Sequence, residues 1–490
     1  MTFSVSINQP MSTIGGIAPA PEFSKKLSYP IPPDLEDYEK FSELKRKLIK
    51  PENIEKVKES WKRLLVAIEK KVEEIKNAKD SYIPEIEWKT IKENGNKFPE
   101  DIGKLFEERG CLIVRNVLDK DTVRGWYQQL SDFVSKHPDV GGYPNPITNW
   151  FVFWNKAMIE ARSHPEITQL MSVMSQFFYV KDSNLPIDKD SQIVYPDAFR
   201  IRSPGQETTL DLHLDSGSIE RWEDEGYRRV YAPIFEGRWE DFEPFELDSR
   251  SFAKSDLYSH LKTRPTATSA FRTLQGWLAL TSVKSGEGTI RFLPNIKLVT
   301  AYSILRPFFW RDDGEIDIET PKFPGAIVGS GQFFLSEKLH PHLKPLESVI
   351  SIPYANESDY IFWHCDVAHE VDKVHNGKNI SSVFYNALCP LAPYNVDNML
   401  ATRRAFYRAE CPRDFIKDRT QSGPSEGDFP GEHGDERNIL TDVGLRALGL
   451  KQFELEEEGL SAGQRRIRNF ANNAMKTGIY NEKELYNYMR

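Results

Sequence analysis

The sequence predicts an α+β fold: a strand-rich centre, of sandwich or small-barrel type, flanked by helical segments. Three observations carry this. Residues 51–77 repeat apolar side chains at spacings of three and four. Between about 197 and 391 the chain runs through short β-branched and aromatic stretches separated by Gly, Pro and charged turns. Beyond about residue 400 helical patterning returns.

Residues 1–50, rich in Pro, Ser and Gly, read as an extended N-terminal arm. Pro51 and Glu52 then open a helix, Pro being tolerated in a first turn. Ile54, Val57, Trp61, Leu64, Leu65, Ile68, Val72 and Ile75 make one apolar stripe. It suits a helix packed on a core, with a coiled-coil arm as the other reading. This helical segment is expected to reach residue 95, the central domain to span 96–400 and a helical extension to fill 401–490.

The central domain should begin with a helix stopped by Gly110, a strand "CLIVRNV" and a helix from about Asp121. Strands are then expected at "DAFRIRS", "TTLDLHLDSG", "TLQGWLALTSV", "GTIRFLP", "KLVTAYSIL", "GAIVGSG", "SVISIPY", "DYIFWHCDVAHEV" and "SSVFYNALCPL". A final amphipathic helix should start near Ser461.

Composition narrows the function classes. With 39% apolar and 28% charged residues the chain is globular in type. Lys plus Arg total 64 against 73 Asp plus Glu, a net charge of −9 with no basic block, which argues against nucleic acid and anionic membrane as partners. Four cysteines without a C-x-x-C pair argue against a disulfide framework or zinc cluster. No apolar run is long enough for a membrane span, and the N-terminus has neither the pattern of a signal peptide nor that of a presequence. A cytoplasmic location is the expectation.

The motif that carries chemistry is His-x-Asp. On a strand, residues i and i+2 share a face, so an imidazole and a carboxylate stand side by side. The dyad occurs four times. His137/Asp139 encloses Pro138 after a helix, and His433/Asp435 lies in a Gly- and Pro-rich loop, so neither sits on a strand. His213/Asp215 and His364/Asp366 remain. A facial site for non-haem iron needs two His and one carboxylate, with positions left open. His213/Asp215 has two candidates for its third ligand downstream, His364 and His369, whereas His364/Asp366 has only His375 or His433. The first dyad is therefore preferred.

The segment "SDYIFWHCDVAHEV" resembles the Asp…His…His segment of phytanoyl-dioxygenase-like iron(II)/2-oxoglutarate oxygenases, with Asp359 ten residues before His369. "WLALTSVKSGEGTIRFLPN" is similar to a strand pair of the same superfamily. More narrowly, "HLDSGSIERW", "FRTLQGW", "GTIRFLP", "ILRPF", "HPHL" and "FWHCDVAHEV", in this order, resemble the YbiU-like family, a domain of unknown function. The resemblance covers roughly residues 90–410. It implies a double-stranded β-helix (a jelly-roll, cupin-like barrel) with iron(II) held by His213, Asp215 and His369, and 2-oxoglutarate and O2 as cosubstrates.

One departure from that pattern matters. The last strand, where many such enzymes carry an Arg for the far carboxylate of 2-oxoglutarate, reads "NGKNISSVFYN" and has none. Arg291 is the first candidate for that role, Arg200 the second and Lys378 the third. Gln275 and Trp277 are placed to point inward together, although core packing accounts for Trp277 as well. The expected activity is oxidation of a small polar or carboxylated metabolite, with Arg200, Arg202, Arg272, Arg291 and Arg306 available for an anion. Two alternatives stay open: a cupin-like metal oxygenase that does not use 2-oxoglutarate, and a non-catalytic binding or regulatory protein on the same scaffold.

Overall fold

The computed structural model describes residues 38–481 and 483, except 145, 209, 259–267 and 416–423. The strands, in chain order, are β1 (Glu85–Glu87), β2 (Cys111–Arg115), β3 (Gly142–Tyr143), β4 (Asn149–Trp150) and β5 (Asp188–Gln192). Then come β6 (Pro196–Arg202), β7 (His213–Asp215), β8 (Leu274–Ala279), β9 (Ile290–Leu293) and β10 (Gln332–Phe334). The last five are β11 (Ile350–Ser351), β12 (Tyr360–His364), β13 (Ala368–Val371), β14 (Ser381–Asn386) and β15 (Pro390–Leu391).

They build a mixed α+β architecture. An eight-stranded sheet runs β1-β2-β12-β8-β14-β6-β4-β3, a five-stranded sheet runs β10-β7-β13-β9-β11, and β5 pairs with β15. From β6 to β9, and again from β12 to β14, consecutive strands fall in alternate sheets. Alternating side chains explain how the sheets are used. On the five-stranded sheet, Ile290 and Phe292 join a cluster with Leu274, Trp277, Ile361 and Val383 of the larger sheet, and the Phe292 and Trp363 rings lie 5.7 Å apart. Its opposite face sends Leu214, Leu293 and Ala368 into a second cluster.

The helix Ile54–Ala78 covers that second face. Its stripe of Val57, Trp61, Leu64, Ile68, Val72 and Ile75 is buried, and Trp61 stacks on Phe309 at 4.6 Å and on Tyr302 at 5.1 Å. The helix thus packs on a core within the chain. At the other end, the helix Ala462–Thr477 starts at Ser461 with a reciprocal cap: the Ser461 hydroxyl takes the Gln464 amide and the Gln464 side chain takes the Ser461 amide.

The structure differs from the sequence reading in four places. Residues 38–48 of the supposed arm form a helix, because Phe41, Leu44 and Leu48 recur on one face and are buried; residues 1–37 lie outside the described residues. "KLVTAYSIL" lies within the helix Ile296–Leu305, buried nearly all round, and such a run has no periodicity to separate helix from strand. "GAIVGSG" forms turns, with Gly325 and Gly329 at positive φ. The 51–95 segment is more than helical, since β1 pairs parallel to β2 at the edge of the large sheet.

Candidate metal centre and its cavity

His213 and Asp215 are the two ends of the three-residue strand β7, and their side chains share its inner face. His369 on β13 is the cross-strand register partner of His213. The two imidazoles face each other with centroids 4.3 Å apart. Asp215 closes the triangle: its Oδ1 lies 3.5 Å from His213 Nε2 and its Oδ2 lies 3.5 Å from His369 Nε2.

Both histidines are oriented alike from behind. His213 Nδ1 bonds the Asp211 carbonyl at 2.6 Å, and His369 Nδ1 bonds the Val367 carbonyl at 3.1 Å. A carbonyl only accepts, so each Nδ1 carries the proton and each Nε2 keeps its lone pair for the centre. Burial, then the neighbouring His213, pushes the His369 pKa down, favouring the neutral imidazole a metal requires. Burial opposes ionisation of Asp215, but the charge and hydrogen bonds that His213 and His369 present when protonated outweigh it and hold the carboxyl well below the usual range, a role that a bound cation would take over. Two neutral nitrogens and a carboxylate, converging on one point with a cavity on the far side, suit a divalent transition metal with open positions.

The carboxylate is also fixed from outside. Gln332, the register partner of Asp215 on β10, donates to Asp215 Oδ1 at 2.9 Å. The Arg221 guanidinium donates to the Asp215 carbonyl at 2.7 Å and to Asp366 Oδ1 at 2.9 Å. Beyond Asp215 the chain turns sharply, with Ser216 at φ 62 and Gly217 at φ 100.

The rival dyad is engaged elsewhere. His364, Cys365 and Asp366 also cluster, but His364 Nε2 bonds the Pro244 carbonyl at 3.1 Å and its Nδ1 accepts the Asp366 amide. Asp366 is clamped by Arg250 at 2.7 Å and by Arg221; despite burial, these two cations hold its carboxyl well below the usual range. Cys365 and Asp366 border only a void of about 10 Å³, too small for a substrate.

The centre opens into a cavity of about 230 Å³. Gln275, Trp277, Arg200, Arg202, Arg272 and Tyr385 are among its walls. Arg200 and Arg202 project from β6, opposite Val383 and Ser381 of β14. Arg200 Nε, Arg202 Nε and Nη1, and Arg272 Nε are buried with no hydrogen-bond partner among the described residues. Of the proposed carboxylate anchors, Arg200 lines the cavity and Arg291 and Lys378 do not. Arg291 is paired with Glu370 across β9 and β13, at 2.6 Å, on the face opposite His369 and Phe292. Lys378 is exposed on the loop before β14. Arg306 bonds the Leu339 and Phe309 carbonyls and Asp312 instead. The sequence reading missed Gln332, whose "GSGQFF" setting carries no signal, and the cavity residues Tyr143, Tyr195 and Asp197.

A family model described as Gig2-like matches residues 33–450. The chain belongs to the Gig2-like family. Among solved structures it is similar to GlcNAc Inducible Gene 2, GIG2 (DUF1479), of Candida albicans, at 44% identity and a TM-score of 0.84 over 93% of this chain and 99% of that one. The uncharacterized protein YbiU of Escherichia coli (strain K12) is 29% identical over 365 residues, covering 70% of this chain and 80% of YbiU. A Salmonella typhimurium LT2 protein described as a candidate oxidoreductase matches at 25% identity and a TM-score of 0.71, over 86% of this chain and all of that one. Among the described residues, no helix is long and apolar enough to cross a membrane.

Proposed function

We propose that this Gig2-like protein is an iron(II)- and 2-oxoglutarate-dependent oxygenase acting on a small-molecule metabolite. One observation carries the reading: His213 and His369, each held through Nδ1 on a backbone carbonyl, turn their Nε2 atoms toward the Asp215 carboxylate in the wall of an arginine-lined cavity. The strand order supports it. β12-β8-β14-β6 in one sheet and β7-β13-β9-β11 in the other, filled by alternation along the chain, is what a double-stranded β-helix of eight strands produces. The oxidoreductase description of the Salmonella relative agrees in class.

Bound iron(II) and 2-oxoglutarate would supply the oxidising chemistry for a substrate C–H bond. The chain's own residues do the rest. His213, Asp215 and His369 would hold the ion, and Gln332 and Arg221 keep Asp215 in register. Arg202, with Arg200 beside it, would hold the far carboxylate of 2-oxoglutarate, because both line the cavity and extend from β6 next to the last strand β14, where no cation is present. Trp277 and Trp363 wall off water.

An anaerobic titration of the iron-loaded protein with 2-oxoglutarate tests this. A weak visible charge-transfer band that saturates at one equivalent is expected. A protein that binds iron with no such band, and that consumes O2 without the oxoacid, would instead be a metal oxygenase of another kind.

A further inference from the structure

Three arginines line the cavity, one more than the β6 pair that the far carboxylate of 2-oxoglutarate would need. Arg200 and Arg202 sit together on β6. Arg272 stands apart, just ahead of β8, whose far end, Ala279, pairs with Val383, the partner of Arg200. About 16 Å of strand separates Leu274 from Ala279, so the two groups of cations occupy opposite ends of the cavity wall. A dicarboxylate held by the β6 arginines would leave Arg272 without a hydrogen-bonded anion.

What surrounds Arg272 is a receptacle rather than a finished ion pair. Its side chain is 8% exposed. Its nearest carboxylate, Asp215 Oδ2, is 3.9 Å from Nη2, too far for a hydrogen bond and committed to the metal in the reading above. Ser216 Oγ is a long 3.4 Å from Nη2, Nε has no partner among the described residues, and Tyr195 places its ring 5.2 Å from the guanidinium carbon. Asp197 adds counter-charge at a distance but makes no hydrogen bond to the guanidinium, and burial, only partly offset by Arg272, pushes its carboxyl up to about 6. A buried guanidinium without a bonded anion is strongly unfavourable, and its planar donors match an oxyanion.

We propose that the substrate carries an oxyanion, a carboxylate or a phosphate, which Arg272 binds beside the Asp215 edge of the metal, with Tyr195 beneath the guanidinium. This rests on the oxygenase reading for the word substrate, but the anion subsite stands on Arg272 and is measurable without metal. The same subsite excludes neutral hydrocarbons, which would leave the guanidinium dry and unpaired.

The test is calorimetric titration with inorganic phosphate and, separately, acetate, using metal-free protein and protein holding iron and 2-oxoglutarate under anaerobic conditions. One anion per chain is expected at Arg272 in both states, without displacing 2-oxoglutarate; metal-free protein should show a second event at Arg200 and Arg202, which Arg202→Gln removes. Arg272→Gln should weaken that anion at least tenfold and leave 2-oxoglutarate affinity unchanged, while Arg202→Gln should do the reverse. A phosphate-soaked crystal of the unaltered protein should show the ion within hydrogen-bond distance of Arg272, which keeps the proposal testable if Arg272→Gln folds poorly. Undiminished anion binding in Arg272→Gln, competition between the anion and 2-oxoglutarate, or no binding of either probe overturns it. Failure of iron or 2-oxoglutarate to bind the unaltered protein would sink the oxygenase reading alone, leaving the metal-free titration to judge Arg272.

Discussion

His213 and His369 lie directly opposite one another on antiparallel strands, and each anchors its Nδ1 on a backbone carbonyl two residues earlier in its own chain segment. The repeated arrangement fixes both rings by local backbone geometry, so that the approach of two strands is enough to aim two Nε2 atoms at one point. Asp215 adds the charge that makes the point attractive to a cation.

Removal of either imidazole should therefore empty the centre. His213→Ala and His369→Ala are expected to lose most bound iron, measured by metal analysis after anaerobic loading, whereas His364→Ala should keep it. Asp215→Asn should weaken binding as well, the shape being retained and the charge lost. Iron retained by His369→Ala and lost by His364→Ala would reverse the assignment of the ligands.

Gln332 touches no metal, yet it holds one Asp215 oxygen at 2.9 Å. Gln332→Leu should lower iron affinity by about 10- to 100-fold, the range typical for partners that orient ligands. A competitive titration against a chelator measures this. Affinity equal to that of the unaltered protein would reduce Gln332 to packing.

Arg291 and Arg202 make a paired comparison. Arg202→Gln should weaken 2-oxoglutarate at least tenfold, about 1.4 kcal/mol, with iron content intact. Arg291→Gln, which breaks a pair with Glu370 on the outer face, should leave that affinity unchanged. The charge-transfer titration reads both, and a loss in Arg291→Gln would move the anchor back to β9.

Stability should depend on pH through two buried histidines outside the centre. Burial pushes His340 and His364 down to about 3. Unfolded, each titrates near its ordinary value of about 6.5. Between those limits the unfolded chain binds more protons, so stability is complete above the upper value and is lost as pH falls toward the lower. The slope is up to about 1.4 kcal/mol per pH unit for each histidine. Urea midpoints should drop between neutral and mildly acidic pH, and His340→Gln should shrink that drop. An unchanged drop would assign the dependence to other groups.

Single-stranded DNA is not expected to bind, given the acidic balance of the chain. Fluorescence anisotropy at low salt checks it, and tight salt-sensitive binding would contradict the small-molecule reading.

How much of this was legible depended on whether the governing rule was local. The pairing of His213 with Asp215 follows from strand alternation, which needs only three residues. The helix at Ile54–Ala78 and the cap at Ser461 are equally local. The position of Arg291 was not, because inward and outward are decided by register: Glu370 pairs with Arg291 and His369 with Phe292, and a shift by one residue would exchange them. Helix Ile296–Leu305 was hidden for a related reason, being buried on nearly all sides and thus without an apolar stripe. Arg202 and Arg272 gained their meaning only from which walls the fold brought together.

The alternation of strands between the two sheets bears on when the centre can exist. β7 and β13 are neighbours in space, yet β8 to β12 intervene in the chain, and four of these, β8, β9, β10 and β12, belong to the walls around them. A nascent polypeptide that has emerged only through β12 carries His213 and Asp215 but has nothing to complete the set. On the oxygenase reading, metal acquisition would thereby be deferred to a nearly finished molecule, and a chain shortened ahead of β13 would be left without a redox centre to misuse.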